Sequence, residues 1–286
     1  MDRDRHLGYG RLAEYMGGDA IEQDITMRKF QIGYSADLDY SNLNSDARDM
    51  IDAYSDGVNA FISGSDPLPI EYDILGVQPE FWRPQDCIVV FKARHIMMGV
   101  FEGKLWRARL VSNLGSEAAV RSLPQYQKGH LQIVPPGEEF DGKDVDCLNE
   151  FEDVYNSVEW FSDVNSGSNN WAVSGARTAS GKPLLAGDPH RSVEVPNVYY
   201  QNHIACPAFD VVGFSFPGMP GFPHFGHNNH VAWSVTHAQA DYQDLYLERF
   251  KFEGSLFYEY TGQWRHAEVR KEVIKVKGGS ETTIDV

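Results

Sequence analysis

The chain has 286 residues, of which 42% are hydrophobic and 13% aromatic, enough to build a core for one large domain or two small ones. A net charge of −16 and a pI near 5.0, without any basic run, argue against nucleic acid or anionic membrane as a partner. No apolar run approaches the roughly 18 residues that a bilayer span needs, and Met1-Asp2-Arg3-Asp4-Arg5 is not the start of a secretory signal. Cys87, Cys147 and Cys206 are odd in number and widely spaced, which gives neither a disulfide framework nor a metal pattern. They read as buried thiols, with one bridge left open.

Residues 1–17 suit a helix with Leu7, Leu12, Tyr15 and Met16 as apolar positions, closed by Gly17-Gly18. A second helix starts at a cap on Asn44 or Ser45. In it Ala47, Met50, Ile51, Tyr54, Val58, Phe61 and Ile62 recur at three- and four-residue spacing, which predicts a core-facing stripe. Pro67 and Pro69 break the pattern, and loop punctuation continues to Pro84. From Asp86, an acidic cap, apolar residues out to Leu114 predict one or two helices ending at Gly115, with Glu102 inside this stretch. Between Pro135 and Ser166 the chain turns acidic and irregular, as expected of a flexible linker or an excised spacer.

After residue 168 the texture changes to strands: Asn170 to Val173, Pro183 to Ala186, Val198 to Ala205, Asp210 to Phe216, Val231 to Val235 and Leu245 to Phe250. Helices followed by strands give an α+β order. The change falls at Ser166-Gly167-Ser168-Asn169-Asn170-Trp171-Ala172-Val173. Taken alone, Gly-Ser-Asn-Asn reads as a polar turn. It also suits self-cleavage before Ser168. Glycine permits a strained backbone in which the Ser168 hydroxyl reaches the Gly167 carbonyl carbon. A hydroxyl beside its own free α-amine, which titrates at about 7.7–8.0, then forms a nucleophile and base in one residue.

Gly167 to Val173, followed by Gly187-Asp188-Pro189-His190 and by Gly226-His227-Asn228 through Ala232-Trp233-Ser234-Val235-Thr236-His237, resembles the penicillin acylase family of N-terminal nucleophile hydrolases. The likeness extends upstream through Tyr54-Ser55-Asp56-Gly57-Val58-Asn59-Ala60 to Gly10-Arg11-Leu12-Ala13-Glu14. It implies a four-layer αββα sandwich, incomplete in this chain, in which Ser168 opens a central strand. It further implies three parts: a helical segment over 1–134, a linker or spacer over 135–167, and the start of the nucleophile domain over 168–286, with more of that domain downstream. Members are exported from the cytoplasm, so a periplasmic or secreted protein is expected, although this chain shows no signal peptide.

The resemblance implies an amidohydrolase. Its precursor cuts itself between Gly167 and Ser168, and its two processed chains stay associated. It attacks a small N-acyl compound, such as a β-lactam antibiotic or an acyl-homoserine lactone, through an acyl-enzyme on Ser168. His190 stands where relatives carry a histidine or a glutamine, and its implied role is to orient the Ser168 amine. His237 matches the position that lends a backbone N–H to the oxyanion, while the second donor is an asparagine beyond Val286. Asp241, Gln243 (through its carbonyl) and Asp244 match positions that bind a structural calcium, with Glu102 as a fourth ligand, and hard oxygen donors suit that ion. No organic cofactor is implied. A zinc site on His224, His227 and His230 is rejected, because Pro223, Gly226, Asn228 and Asn229 preclude a helix that would gather the rings. The rival readings are a catalytically silent fragment that serves as a structural or ligand-binding module, and a β-rich binding domain in which the Gly-Ser-Asn-Asn turn is only a turn.

Overall fold

The computed structural model describes residues 1–65, 67–97, 101–122, 167–191, 193, 195, 197–221, 223–237, 242–243, 246 and 248–286, and of residues 97, 101, 102, 108, 112, 116 and 120 the backbone alone. These fall into two compact units. The first draws on described residues within Met1–Met98, Phe161–Ala238 and Phe250–Val286, the second on those within Gly99–Trp160 and Gln239–Arg249. Most of the predicted linker, 135–166, lies outside the described residues.

The first unit opens with helices. Helix α1 (Asp2–Gly8) carries Asp2 and Asp4 in its first turn and Arg5 and His6 in its last, matching the helix dipole at both ends. The expected single helix over 1–17 is broken at Gly10, whose φ of +61° ends α1 before α2 (Ala13–Met16) begins. Asp24, on α3 (Ile21–Lys29), is fully buried and accepts hydrogen bonds from the backbone N–H groups of Leu12 and Ala13 at 2.8 and 2.7 Å. Those are donors that the start of α2 leaves without helical partners, and a distant carboxylate satisfies them. Asp24→Ala is therefore expected to cost about 2–4 kcal/mol, as two buried donors lose their acceptor, read as a lower midpoint in urea unfolding.

Helix α4 (Ile32–Asn42) precedes α5 (Ser45–Gly64), which Asn44 caps by accepting the Ala47 N–H at 2.9 Å. The α5 stripe is only partly core. Ile51, Tyr54 and Val58 pack on the buried cluster of Trp82, Cys87 and Val90, whereas Met50 and Phe61 are 47% and 60% exposed. Spacing marks a face of a helix, but the width of the contact depends on the partner. After α6 (Ile70–Leu75) comes the central helix, α7 (Pro84–Met97), which packs against α1, α4 and α5 and buries Cys87, Ile88, Val89, Val90 and Ala93. Proline is tolerated at its first position, where no N–H bond is lost. The helix starts two residues before Asp86, the cap expected from the sequence; from inside the first turn Asp86 reaches back to accept the Arg83 N–H at 2.9 Å, and its carboxylate also takes Arg5 at 3.1 Å and the Tyr9 hydroxyl at 2.9 Å. Gly8 lets α1 cross α7 closely, since a Cβ there would overlap Val89.

His6 is buried beside this cluster, with Nδ1 2.9 Å from the Asp2 carbonyl oxygen. Burial pulls its pKa below the ordinary 6.5, although the Asp2 carboxylate works in the opposite direction. The folded state thus binds fewer protons than the unfolded chain just below pH 6.5. The stability this group contributes is present above 6.5 and lost as pH falls through the lowered value. Thermal midpoints measured against pH should fall more steeply in the native protein than in His6→Phe.

Strands follow in the same unit. β1 (Gly167–Val173) and β2 (Leu184–His190) form an antiparallel ribbon. β3 (Tyr200–Ala205), β4 (Asp210–Ser215), β5 (Phe225–His227) and β6 (Ala232–Trp233) make an antiparallel meander in that order. β7 (Phe250–Phe252), β8 (Leu256–Tyr260) and β9 (Gln263–His266) make a second, and β10 (Lys271–Ile274) pairs with β11 (Thr282–Asp285). The predicted strand over Leu245 to Phe250 begins only at Phe250, and Leu245 and Leu247 lie outside the described residues. Helices and strands are joined by the Arg28–Glu272 ion pair at 2.5 Å, the Lys277 N–H donated to the Ala13 carbonyl at 2.9 Å, and the Gly218 N–H donated to the Tyr54 hydroxyl at 2.9 Å. The protein is thus a mixed α+β structure. Among the described residues its strands form four separate antiparallel sheets, and β1 has a neighbour on one side only.

In the second unit α8 (Phe101–Leu114) ends at Gly115, whose φ is +75°, and packs against α9 (Ser116–Ser122). Leu105 and Ala119 are buried there. Of the cysteines, Cys87 is a buried free thiol that burial pushes up to about 11, Cys206 is free but exposed, contrary to expectation, and Cys147 lies outside the described residues. No helix among the described residues is long and apolar enough to cross a membrane.

Candidate active site

Ladder register fixes which side chains meet. Gly167 pairs with His190, Ser168 with Pro189, Asn169 with Asp188 and Asn170 with Gly187. Because strand side chains alternate, Ser168, Asn170, Gly187 and Pro189 share one face, while Gly167, Asn169, Asp188 and His190 share the other. Ser168 and His190, both singled out in the sequence, therefore sit on opposite faces of one ribbon.

On the Ser168 face the segment after β6 runs past the ribbon. The His237 N–H donates to Ser168 Oγ at 3.1 Å, and Thr236 Oγ1 is hydrogen-bonded to the same oxygen. Thr236 also donates to the Ser168 carbonyl at 3.2 Å, which leaves its lone pair to accept the Ser168 hydroxyl proton. Two residues earlier, Ser234 Oγ donates to Asn170 Oδ1 at 2.8 Å, clamping this segment to β1. The clamp needs Gly187: a Cβ at that position would overlap Ser234 Oγ.

On the other face a Cβ added to Gly167 would stand 3.1 Å from His190 Nδ1, so the ring lies directly against this glycine. Gly167 is part of a regular strand and lies outside the left-handed region. Its need for a missing side chain arises here from the histidine, not from a positive φ. His190 Nε2 lies 3.0 Å from Asp188 Oδ2 and 3.2 Å from Asn169 Nδ2. The ring thus addresses the backbone around Gly167, and the Ser168 hydroxyl is beyond its face.

A cleft of about 760 Å³ lies between β2 and the β3–β6 sheet, lined in part by Leu185, Phe214, Phe225, Trp233, Pro189 and Ser234. Pro189 is the ladder partner of Ser168. Most of its named walls are apolar.

Among the expected calcium ligands, Asp241 and Asp244 lie outside the described residues, and Glu102 stands in the first turn of α8. Gln243 is described, and its side-chain Oε1 is buried without a hydrogen-bond partner among the described residues. An unpartnered oxygen beside this stretch fits a hard cation, and Glu102 and Gln243 belong to the same unit. The three histidines have separate surroundings. The His224 ring packs tilted against Phe216 and edge-on against Phe225, at 5.1 and 4.9 Å between centroids, and burial lowers its pKa; His227 and His230 are exposed.

Thr236, Ser234, Asn169 and Asp188 received no individual role from the sequence. All lie in the quoted motifs; strand alternation about Ser168 is the signal that sorts Asn169 and Asp188 by face, whereas Ser234 and Thr236 are placed by their hydrogen bonds to Asn170 and Ser168.

The family model for penicillin amidase matches residues 1–286, the whole chain. A protein named penicillin acylase 2 proenzyme, from Pseudomonas sp. (strain SE83), is 39% identical over 293 residues, covering 100% of this chain and 38% of that protein. Acyl-homoserine lactone acylase QuiP of Pseudomonas aeruginosa is 32% identical over 282 residues, covering 96% and 33%. Penicillin G acylase of Escherichia coli is 22% identical over 344 residues, covering 100% and 40%. The chain thus spans 33–40% of the length of these relatives. With a match over its full length, and with Ser168, Asp188-Pro189-His190 and Thr236-His237 arranged around one ribbon, the chain belongs to the penicillin amidase family.

Proposed function

We propose that the full-length protein is an amidohydrolase that cuts its own chain between Gly167 and Ser168 and then uses Ser168 to cleave the amide bond of an N-acyl compound. The observation that carries this reading is the His237 N–H aimed at Ser168 Oγ, at 3.1 Å, in a residue that follows Gly167 at the start of β1. In maturation Ser168 Oγ attacks the Gly167 carbonyl carbon, the C–N bond breaks, and the hydroxyl proton passes to the nitrogen. An ester with a free α-amine results, and water hydrolyses it to the Gly167 carboxylate and the free Ser168 hydroxyl. In turnover that amine takes the hydroxyl proton through a water while Oγ attacks the substrate amide. The leaving amine departs with the proton, and water hydrolyses the acyl-enzyme. Once Oγ has bonded to the carbonyl carbon, the His237 N–H that it occupied turns to the adjacent oxyanion, a donor whose loss costs about 10²–10³ in rate.

The names of two relatives, an acylase of penicillin and one of acyl-homoserine lactones, support an N-acyl substrate, and the name of the first as a proenzyme supports processing. The cleft beside Pro189, whose walls include Leu185, Phe214, Phe225 and Trp233 as well as Arg191, Asn197, Gln201 and His227, supports an acyl group with an apolar part. The β1–β2 ribbon has apolar side chains on both faces, Trp171, Val173 and Leu184 on one and Leu185 on the other. This supports a sandwich in which both faces are covered. The division into a helical part over 1–134, a linker over 135–167 and a nucleophile part over 168–286 belongs to the same reading. Export to the periplasm or medium belongs to the same reading and is checked by cell fractionation. Purified full-length protein should hydrolyse penicillins, acyl-homoserine lactones or another N-acyl amide, scored by release of the free amine. Failure on a broad N-acyl panel by a correctly folded, cleaved protein overturns the reading.

A structural calcium held by Glu102, Asp241, Asp244 and the backbone carbonyl of Gln243 belongs to this proposal; the buried, unpartnered side-chain Oε1 of Gln243 supports a polar site at this residue but is a different atom from the carbonyl ligand. Removing the ion should lower the thermal midpoint, since a ligand bound only by the folded state stabilises it with occupancy. Metal analysis of the purified protein, with unfolding in calcium and in chelator, checks this. Absence of calcium together with an unchanged midpoint contradicts it.

A further inference from the structure

His190 Nε2 has two polar neighbours that ask opposite things of it. Asp188 Oδ2, at 3.0 Å, is an acceptor and requires a proton on Nε2; Asn169 Nδ2, at 3.2 Å, is a donor and requires a bare Nε2. One nitrogen cannot satisfy both. A hydrogen bond to an ionised acceptor is about twice as strong as a neutral one, so the carboxylate decides the proton's place. The Asn169 amide can then turn its oxygen toward the ring, because the two ends of an amide have the same shape.

We infer that Asp188 is a positioning residue: by accepting from His190 Nε2 it holds the proton there and keeps Nδ1 bare against Gly167, as an acceptor for the α-amine that cleavage would free on Ser168. This rests on the proposed Ser168 chemistry. The geometry adds a division of labour between the two ribbon faces. The hydroxyl is handled by Thr236 and His237 on one face, and the ring that serves the amine is set by Asp188 on the other. With Nδ1 protonated instead, the ring would offer the amine a donor where it needs an acceptor. Asp188, a carboxylate two residues before the histidine on the same strand and 3.0 Å from Nε2, is placed to prevent this.

The test uses full-length, processed protein labelled with ¹⁵N-histidine, with the His190 signals assigned by their loss in His190→Gln. The native spectrum should show the proton on Nε2 and a bare Nδ1. Asp188→Asn should move it toward Nδ1 and lower kcat about 10–10²-fold with little change in KM or thermal midpoint, at or below the low end for a group acting on proton transfer. In a His190→Gln background, where no tautomer remains to be set, Asp188→Asn should change kcat by less than about two-fold. A native His190 protonated on Nδ1 overturns the inference, and this holds even if the Asp188 variant does not fold. So does an Asp188→Asn protein with native tautomer and turnover, or one whose defect is equally large in the His190→Gln background. The two readings fail separately. A second chain that does not begin at Ser168 removes the Ser168 chemistry itself. A Ser168 terminus with full turnover and the wrong tautomer removes only the role of Asp188.

Discussion

Full-length protein carrying Ser168→Ala is expected to remain one chain and to lose turnover by roughly 10⁶-fold, the scale seen when a serine nucleophile is removed. Both losses have one cause, because the same Oγ attacks the Gly167 carbonyl in maturation and the substrate amide in turnover. The fold should not suffer: Ser168 is only partly buried, and β1 keeps its ladder with β2 through backbone atoms. Denaturing electrophoresis and amine-release assays read the two outcomes separately. Ser168→Cys should still be cut, since a thiolate is also a competent nucleophile. A Ser168→Ala protein that divides at the usual place assigns the cleavage to another agent.

Gly187→Ala should also be damaging, though less so, even though residue 187 touches no reacting atom. Its new Cβ would enter the space of Ser234 Oγ, which is held by Asn170 at 2.8 Å. Either the clamp breaks or β2 retreats from β1. In both cases the segment that carries Thr236 and the His237 N–H shifts relative to Ser168 Oγ. A lost oxyanion donor costs about 10²–10³ in rate, and a displacement of 1 Å alone can cost about 10². The expected result is folded protein with kcat reduced to that extent and with slower maturation. Partial recovery in Gly187→Ala/Ser234→Gly, which vacates the disputed space, would tie the defect to this contact. Native kcat in Gly187→Ala would show that the 234–237 segment tolerates the shift.

Much of this site was legible because its chemistry lies in contiguous motifs, and less was legible wherever pairing decides the outcome. Gly167-Ser168 marked the junction between helices and strands, and the change of texture falls there in the structure. That His190 sits behind the ribbon follows from the β1–β2 register, and that Thr236 sits in front follows from its hydrogen bonds to Ser168; a single strand reveals neither. The α5 stripe had the right period, but how far α7 and its neighbours extend left Met50 and Phe61 in solvent. Asp24 was silent, because its role is to cap a helix 11 and 12 residues away. The strands after Phe250 had a usable signal that alternation alone did not supply. Thr261 and Gly262, at φ of 50° and 74°, make the two-residue turn that joins β8 to β9, and an X-Gly pair between aromatic runs points to such a hairpin.

Turnover through Ser168 requires that this residue possess a free α-amine. The most direct measurement is therefore amino-terminal sequencing, with intact mass, of the full-length protein after purification. The account predicts two chains held together, the second reading Ser-Asn-Asn-Trp-Ala-Val from Ser168. A folded, active protein in which Gly167 and Ser168 remain joined would contradict it.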